Sequence, residues 1–318
     1  MADGARTVAD VVRAYVAHLA ALGSSPKTLD ERRRMAGRIS QDPLGSIPIQ
    51  RLGVKDLDDY YGRLIQAGLK RSTVRGYYSL IRAAGNKAVD WGWTVSRPWS
   101  RAKPPPAEDR RPSPPAAEAV RELLAAADPQ MRVFVRLAAT VGSRRGELCA
   151  LRWNQVDWES GTVRINDAVV VAKGAGVVHR GATKTTEVPV VALGPATQNL
   201  LREWRGRREA VAAELGNTFD ESSYVFSDDP LGRTPWRPDS TSRKFRRLCA
   251  KVGLTGVRLH DLRHFVGTEG VDRSNIKVVQ QRLGHRDLRT TLGIYAARRD
   301  AADVRLAHDL DELLGEGD

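Results

Sequence analysis

A chain of 318 residues is long enough for two domains, each with its own core, and 41% hydrophobic with 28% charged residues is an ordinary globular balance. Lys and Arg outnumber Asp and Glu by 51 to 38, a formal charge of +13, which points to a polyanionic partner, nucleic acid ahead of anionic membrane; the plain alternative is a basic surface kept for solubility. No apolar run has the length of a membrane span, no signal-peptide core precedes the first element, and Cys149 and Cys249 stand alone, so neither a disulfide framework nor a zinc site is indicated and a cytoplasmic location is expected.

The elements follow in chain order. Thr7, with Asp10 three residues on, is a capping signal for a first helix whose stripe is Val8, Val11, Val12, Tyr15, Val16, Leu19 and Leu22, closed by Gly23. Ser25-Pro26 opens a second helix through Leu29, Met35 and Ile39, on a face crowded with Arg32, Arg33, Arg34 and Arg38. After the turn-rich stretch Asp42–Gly45, a third helix carries Leu57, Tyr61, Leu64 and Ile65. A fourth begins near Ser72-Thr73 and runs through Val74, Tyr77, Leu80, Ile81, Ala84 and Ala88. Residues 98–115 are rich in proline and charge and are expected to form no regular element, so the domain boundary is placed there. Beyond it, helical patterns cover 116–127, 131–141 and 195–213. Residues 162–165, 169–171 and 188–191 read as short strands of a small antiparallel sheet. Helices resume near 239–251 and continue to the end, with breaks expected at Gly253, Gly256, Gly270 and Gly284. The expected fold is mainly α with a small antiparallel β-sheet: a four-helix domain over 1–97, a linker over 98–115 and an α+β domain over 116–318.

Charge is unevenly spread. Residues 1–111 hold 20 basic against 11 acidic residues (+9), residues 112–299 hold 30 against 20 (+10), and residues 300–318 hold one Arg against seven acids (−6). Two basic blocks suit a duplex. An acidic tail, with Leu306, Leu310, Leu313 and Leu314 at helical spacing, suits protein.

Transfer of a phosphoryl group on a DNA backbone needs four things: an aligned nucleophile, positive donors on the phosphate oxygens, an acid for the departing oxygen and a base for the nucleophile's proton. Candidates occur in order along the chain. Gly142-Ser143-Arg144-Arg145-Gly146-Glu147-Leu148 places Arg144 at the start of a helix, where a planar guanidinium could fork onto phosphate; the bland reading is a surface arginine paired with Glu147. His260-Asp261-Leu262-Arg263-His264 puts His260 and Arg263 three apart, on one helical face. Leu283-Gly284-His285 follows, and Tyr295 comes ten residues after His285. No carboxylate cluster suggests a metal nuclease.

The order Arg, HxxR, LGH, Tyr resembles the tyrosine recombinases of the phage-integrase type, over nearly the whole chain. The resemblance implies an N-terminal four-helix core-binding domain plus an α+β tyrosine-recombinase catalytic domain. It implies Tyr295 as the nucleophile forming a 3′-phosphotyrosine, Arg144 and Arg263 as phosphate clamps, His260 as acid/base partner and His285 as a further donor, with Glu147 supporting Arg144. No cofactor or metal is implied. For the family's hairpin lysine, Thr183-Lys184-Thr185 is favoured, although the turn after it is shorter than usual; Lys173-Gly174 is the rival. Phe265 stands where a small hydroxyl residue is more usual. Implied partners are double-stranded DNA attachment sites, a second copy of the chain in a tetramer on two duplexes joined through an exchange helix at about 300–318, and an excisionase or host factor. The implied role is integration or excision of a phage or other mobile element. A type IB topoisomerase-like transferase and a silent DNA-binding regulator are the alternatives, weighed down by the tail and by the complete reactive set respectively.

Overall fold

The computed structural model describes residues 6–106, 114–172, 176–181 and 189–284. The chain divides into two compact units, one over Met1–Arg110 with Ala172–Gly174, the other over Arg111–Val171 and Ala175–Asp318.

The first unit is built from four helices, α1 Val8–Ala21, α2 Pro26–Gln41, α3 Val54–Gln66 and α4 Arg71–Asp90. Thr7 and Asp10 close the expected capping box: the Thr7 hydroxyl accepts from the Asp10 amide, and the Asp10 carboxylate accepts from the Thr7 amide at 2.9 Å. Ser25 caps α2 with Pro26 at its first position. The stripes meet in one core containing Val8, Val11, Val12, Val16, Met35, Ile39, Leu57, Tyr60, Tyr61, Leu64, Tyr77, Leu80 and Ile81. Arg33, Arg34 and Arg38 lie exposed on α2, and Arg71, Arg75 and Arg82 on α4. Two expected core positions are not buried. Leu22 is exposed because α1 has already ended at Ala21, and Ile65 is exposed because it lies one residue past Leu64, about 100° around the helix from the stripe. The proline-rich stretch is also more ordered at its start than expected. Pro98–Ser100 forms a 3-10 turn that buries Trp99 completely in this core, where its indole N–H donates to Asn86 Oδ1 at 2.9 Å.

The second unit begins with α5 Ala117–Ala126, α6 Pro129–Thr140 and α7 Arg145–Ala150. The strands β1 Val156–Asp157, β2 Thr162–Arg164, β3 Asp167–Ala172, β4 Gly176–Gly181 and β5 Val190–Ala192 follow, and then α8 Pro195–Glu214, α9 Pro238–Lys251, α10 Leu259–Arg273 and α11 Ile276–Leu283. The fold is mainly helical with two small sheets, of which β1-β2-β5 is antiparallel. The strands split into two ladders, β1-β2-β5 and β3-β4, where one sheet was expected. Val163 pairs with Val156 on one side and Val191 on the other. The core lies around Phe134, Phe226 and Trp236, the first two rings 4.8 Å apart edge to face, with Leu137, Leu148, Trp153 and Phe245 around them. Helix α6 packs against α8 and α10, and α10 against α11. Gly270 does not break a helix as expected. It sits within α10, where a Cβ would come to 3.0 Å from Val279 Cγ2, so its small size lets α11 close on α10. The expected tail helix lies outside the described residues. No helix among the described residues is long and apolar enough to cross a membrane.

Candidate active site

The turn between α6 and α7 is held open by Gly142, at φ +73°. A side chain there would be strained, and its Cβ would sit 2.6 Å from Leu283 Cδ2 and 3.2 Å from Val266 Cγ1. Glycine at this position therefore lets α10 and α11 press against the turn that presents Arg144.

Arg144 is the N-cap of α7. Its amide donates to Glu147 Oε2 at 2.6 Å and its guanidinium to Glu147 Oε1 at 2.8 Å, while its side chain stays more than half exposed. Glu147 thus orients Arg144 from below and leaves donors turned to solvent. The next arginine is spent differently. Arg145 donates to Ser242 Oγ at 2.5 Å and stands 3.5 Å from Asp239, fastening α7 to α9. The pair is therefore one outward arginine and one packing arginine, a distinction invisible in the sequence Arg-Arg.

Arg263 is buried, at 4% exposure. Its Nη1 donates to the Gly142 carbonyl at 2.6 Å and its Nη2 to the Leu283 carbonyl. One guanidinium thereby joins α10 to the Arg144 turn and to the end of α11, two residues before His285. His260 was expected on the same face, and it lies at the same end of α10 but at a different depth. It is exposed, with its ring 4.7 Å from that of His264, edge to face. Loss of solvent, then the neighbouring His264 and Arg263 charges, press the His260 imidazole below its ordinary range against a weaker pull from Asp261. Burial does the same to His264. Buried Asp261 accepts from the Arg258 amide at 2.8 Å, satisfying a free amide at the start of α10 and fixing the turn carrying His260.

The described contacts therefore tie Arg263 to the turn before Arg144 and set His260 three residues before Arg263 on α10. Lys184, its rival Lys173, His285 and Tyr295 lie outside the described residues. Sequence reasoning missed Arg145, Arg258 and Arg282 as structural hands of this site. Arg258 had a signal, since an acid three residues on, Asp261, is spaced to accept from it at a helix start; Arg282 had none.

Residues 116–302 match the phage integrase family. The ICEBs1 integrase of Bacillus subtilis (strain 168) is 25% identical over 92% of this chain and 80% of its own length. The Tn1549 transposon integrase, solved in complex with a circular intermediate DNA, superposes with a TM-score of 0.81 at 19% identity over 95% of this chain and 99% of that one. A lambda integrase tetramer bound to a Holliday junction gives 0.68 at 20% identity over 92% and 78%. These likenesses define the fold as that of the integrases. The chain belongs to the phage integrase family and is a tyrosine recombinase, an enzyme of site-specific DNA recombination.

Proposed function

We propose that the chain cuts and rejoins double-stranded DNA at the attachment sites of a phage or other mobile element through Tyr295. The Tyr295 phenolate oxygen attacks the phosphorus of the scissile diester, and the bond from phosphorus to the 5′ oxygen breaks. Lys184 gives that oxygen its proton, leaving a 3′-phosphotyrosine and a 5′ hydroxyl. Attack by a 5′ hydroxyl on the same phosphorus reverses each step, so the diester's energy is kept and no ATP is consumed. Arg144 and Arg263 hold the equatorial oxygens, with His285 adding a donor. His260, held neutral by its surroundings, accepts the phenol's proton, which a group with a pKa of about 10 needs help to lose.

The observation that carries this reading is the Arg263 guanidinium. It ties the turn before Arg144 to the end of α11 before His285, so three of the four motifs converge on one point. The domain roles go with it: a helical DNA-binding domain over 1–97 with Trp99 completing its core, a linker to 115, and a catalytic domain over 116–318. Exposed arginines of α2 and α4 suit phosphate contact, and the acidic segment 300–318 suits a neighbouring protomer in a tetramer. An excisionase or host factor setting direction, and action in the cytoplasm, belong to the same proposal.

Tyr295→Phe tests it on a nicked suicide duplex carrying the recombination site. The variant is expected to bind the duplex as the parent does and to leave no covalent adduct; an adduct that persists moves the nucleophile elsewhere.

A further inference from the structure

We infer that Arg282 is a positioning residue for protonation of the leaving group: it fixes the strand that follows Lys184 in sequence to the ends of α6 and α11, which precede Arg144 and His285 in the chain. It sits in the last turn of α11, half-buried. Its Nε donates to the Thr140 carbonyl at 2.9 Å and its Nη2 to the Ala192 carbonyl at 3.0 Å. Thr140 ends α6, four residues before Arg144, where a helix leaves carbonyls without intrahelical partners and a cation meets the negative end of the helix dipole. Ala192 lies on β5, an outer strand of the ladder β1-β2-β5, eight residues after Lys184. The next residue, Leu283, accepts from Arg263. The two arginines form one continuous stitch. Arg263 joins α10, the Arg144 turn and α11, and Arg282 extends the stitch to the strand leading back to the lysine.

A guanidinium is a rigid fork, so two donors on one plane set the distance and angle between their two acceptors. Without that fork the phosphate clamps still have Glu147 and Arg263 to hold them, but β5 loses its tie to them. The expected defect is thus selective: the phosphate is gripped, and the acid on the segment before β5 is out of place. This rests on the reading of Lys184 as the acid, and the experiment separates the two.

Arg282→Lys keeps the stem and charge but cannot span both carbonyls; Arg282→Gln removes the charge. In the full chain, each is followed by thermal melting, by gel-shift affinity for the duplex, and by single-turnover cleavage of a nicked duplex with oxygen or sulfur at the 5′-bridging position. Sulfur leaves without an acid. Affinity is expected to hold, and cleavage of the oxygen duplex to fall on the order of 100-fold, the scale of a misplacement of about 1 Å. The sulfur duplex is expected to regain most of the loss. A role in stability alone lowers both duplexes together, and equal losses on the two overturn the inference. Lys184→Ala is run beside them. Recovery on sulfur there, with none at Arg282, leaves Lys184 the acid and removes the role of Arg282. Recovery at Arg282 with none in Lys184→Ala keeps the positioning role and moves the acid to another group on that segment.

Discussion

At the scale of single residues, the site is held by backbone carbonyls as much as by side chains. Arg263 is buried and spends two donors on the Gly142 and Leu283 carbonyls. Arg263→Ala leaves those acceptors without these donors, at about 1–3 kcal/mol for each buried group left unsatisfied, and chemical denaturation is expected to register a loss in that range or above it. Gly142→Ala forces a side chain into a left-handed conformation against Leu283 and Val266, at a cost of about 1–3 kcal/mol in melting experiments. The histidines give a pH signature. Both His260 and His264 are pressed below the ordinary value of 6.5, so the folded state binds fewer protons than the unfolded chain in that window. Their contribution is complete above about pH 6.5 and is lost as pH falls through the lower folded values, so the melting temperature is expected to drop on acidification in that range. His264→Gln removes one of the charges pressing on His260. NMR titration is expected to show the His260 value move up toward 6.5, and an unmoved value breaks the link between the two rings.

At the scale of elements, periodicity and caps were legible, and contacts to backbone were not. The stripe of α1 could be read because hydrophobic spacing and a capping box are both local, and Thr7→Ala is expected to cost about 1 kcal/mol by removing one of them. Leu22 and Ile65 were misplaced because spacing says which face a residue occupies but not where the helix ends or how wide the buried stripe is. Gly270 was misread because glycine marks a break and a close approach with the same letter. The ordered motifs were legible as a set, since four chemical types in one order are rarer than any of them alone. Arg282 could not be found that way. A lone arginine in a helix reads as solvated charge, and its acceptors are carbonyls 142 and 90 residues away, which carry no side-chain signature. The division of labour between Arg144 and Arg145 was hidden for the same reason, because Ser242 and Asp239 belong to another helix.

At the scale of the whole molecule, charge is the organising variable. Both large blocks are positive, +9 over 1–111 and +10 over 112–299, while residues 300–318 carry −6. If both blocks neutralise phosphates, log affinity for the duplex falls with log salt at about −0.9 for each phosphate contacted, and the slope of the full chain exceeds that of either block alone. A full-chain slope equal to that of residues 114–318 would leave the first block without a share of the grip. The acidic charge of residues 300–318 gains nothing from phosphate, and the helical spacing of Leu306, Leu310, Leu313 and Leu314 predicts an apolar stripe that would need cover. In the proposed tetramer a neighbouring protomer is the cover that also suits the charge, because acidic residues meet no repulsion on leaving the DNA for a basic partner surface. Deleting residues 302–318 is then expected to leave binding to one duplex in place and to abolish assemblies that hold two. Leu310→Asp is expected to do the same, since a buried unpaired carboxylate in the seam costs at least several kcal/mol. Mass photometry of DNA-bound protein reads the outcome directly: tetramers on two duplexes that survive the deletion exclude the tail as the bridge and return its leucines to the chain's own core.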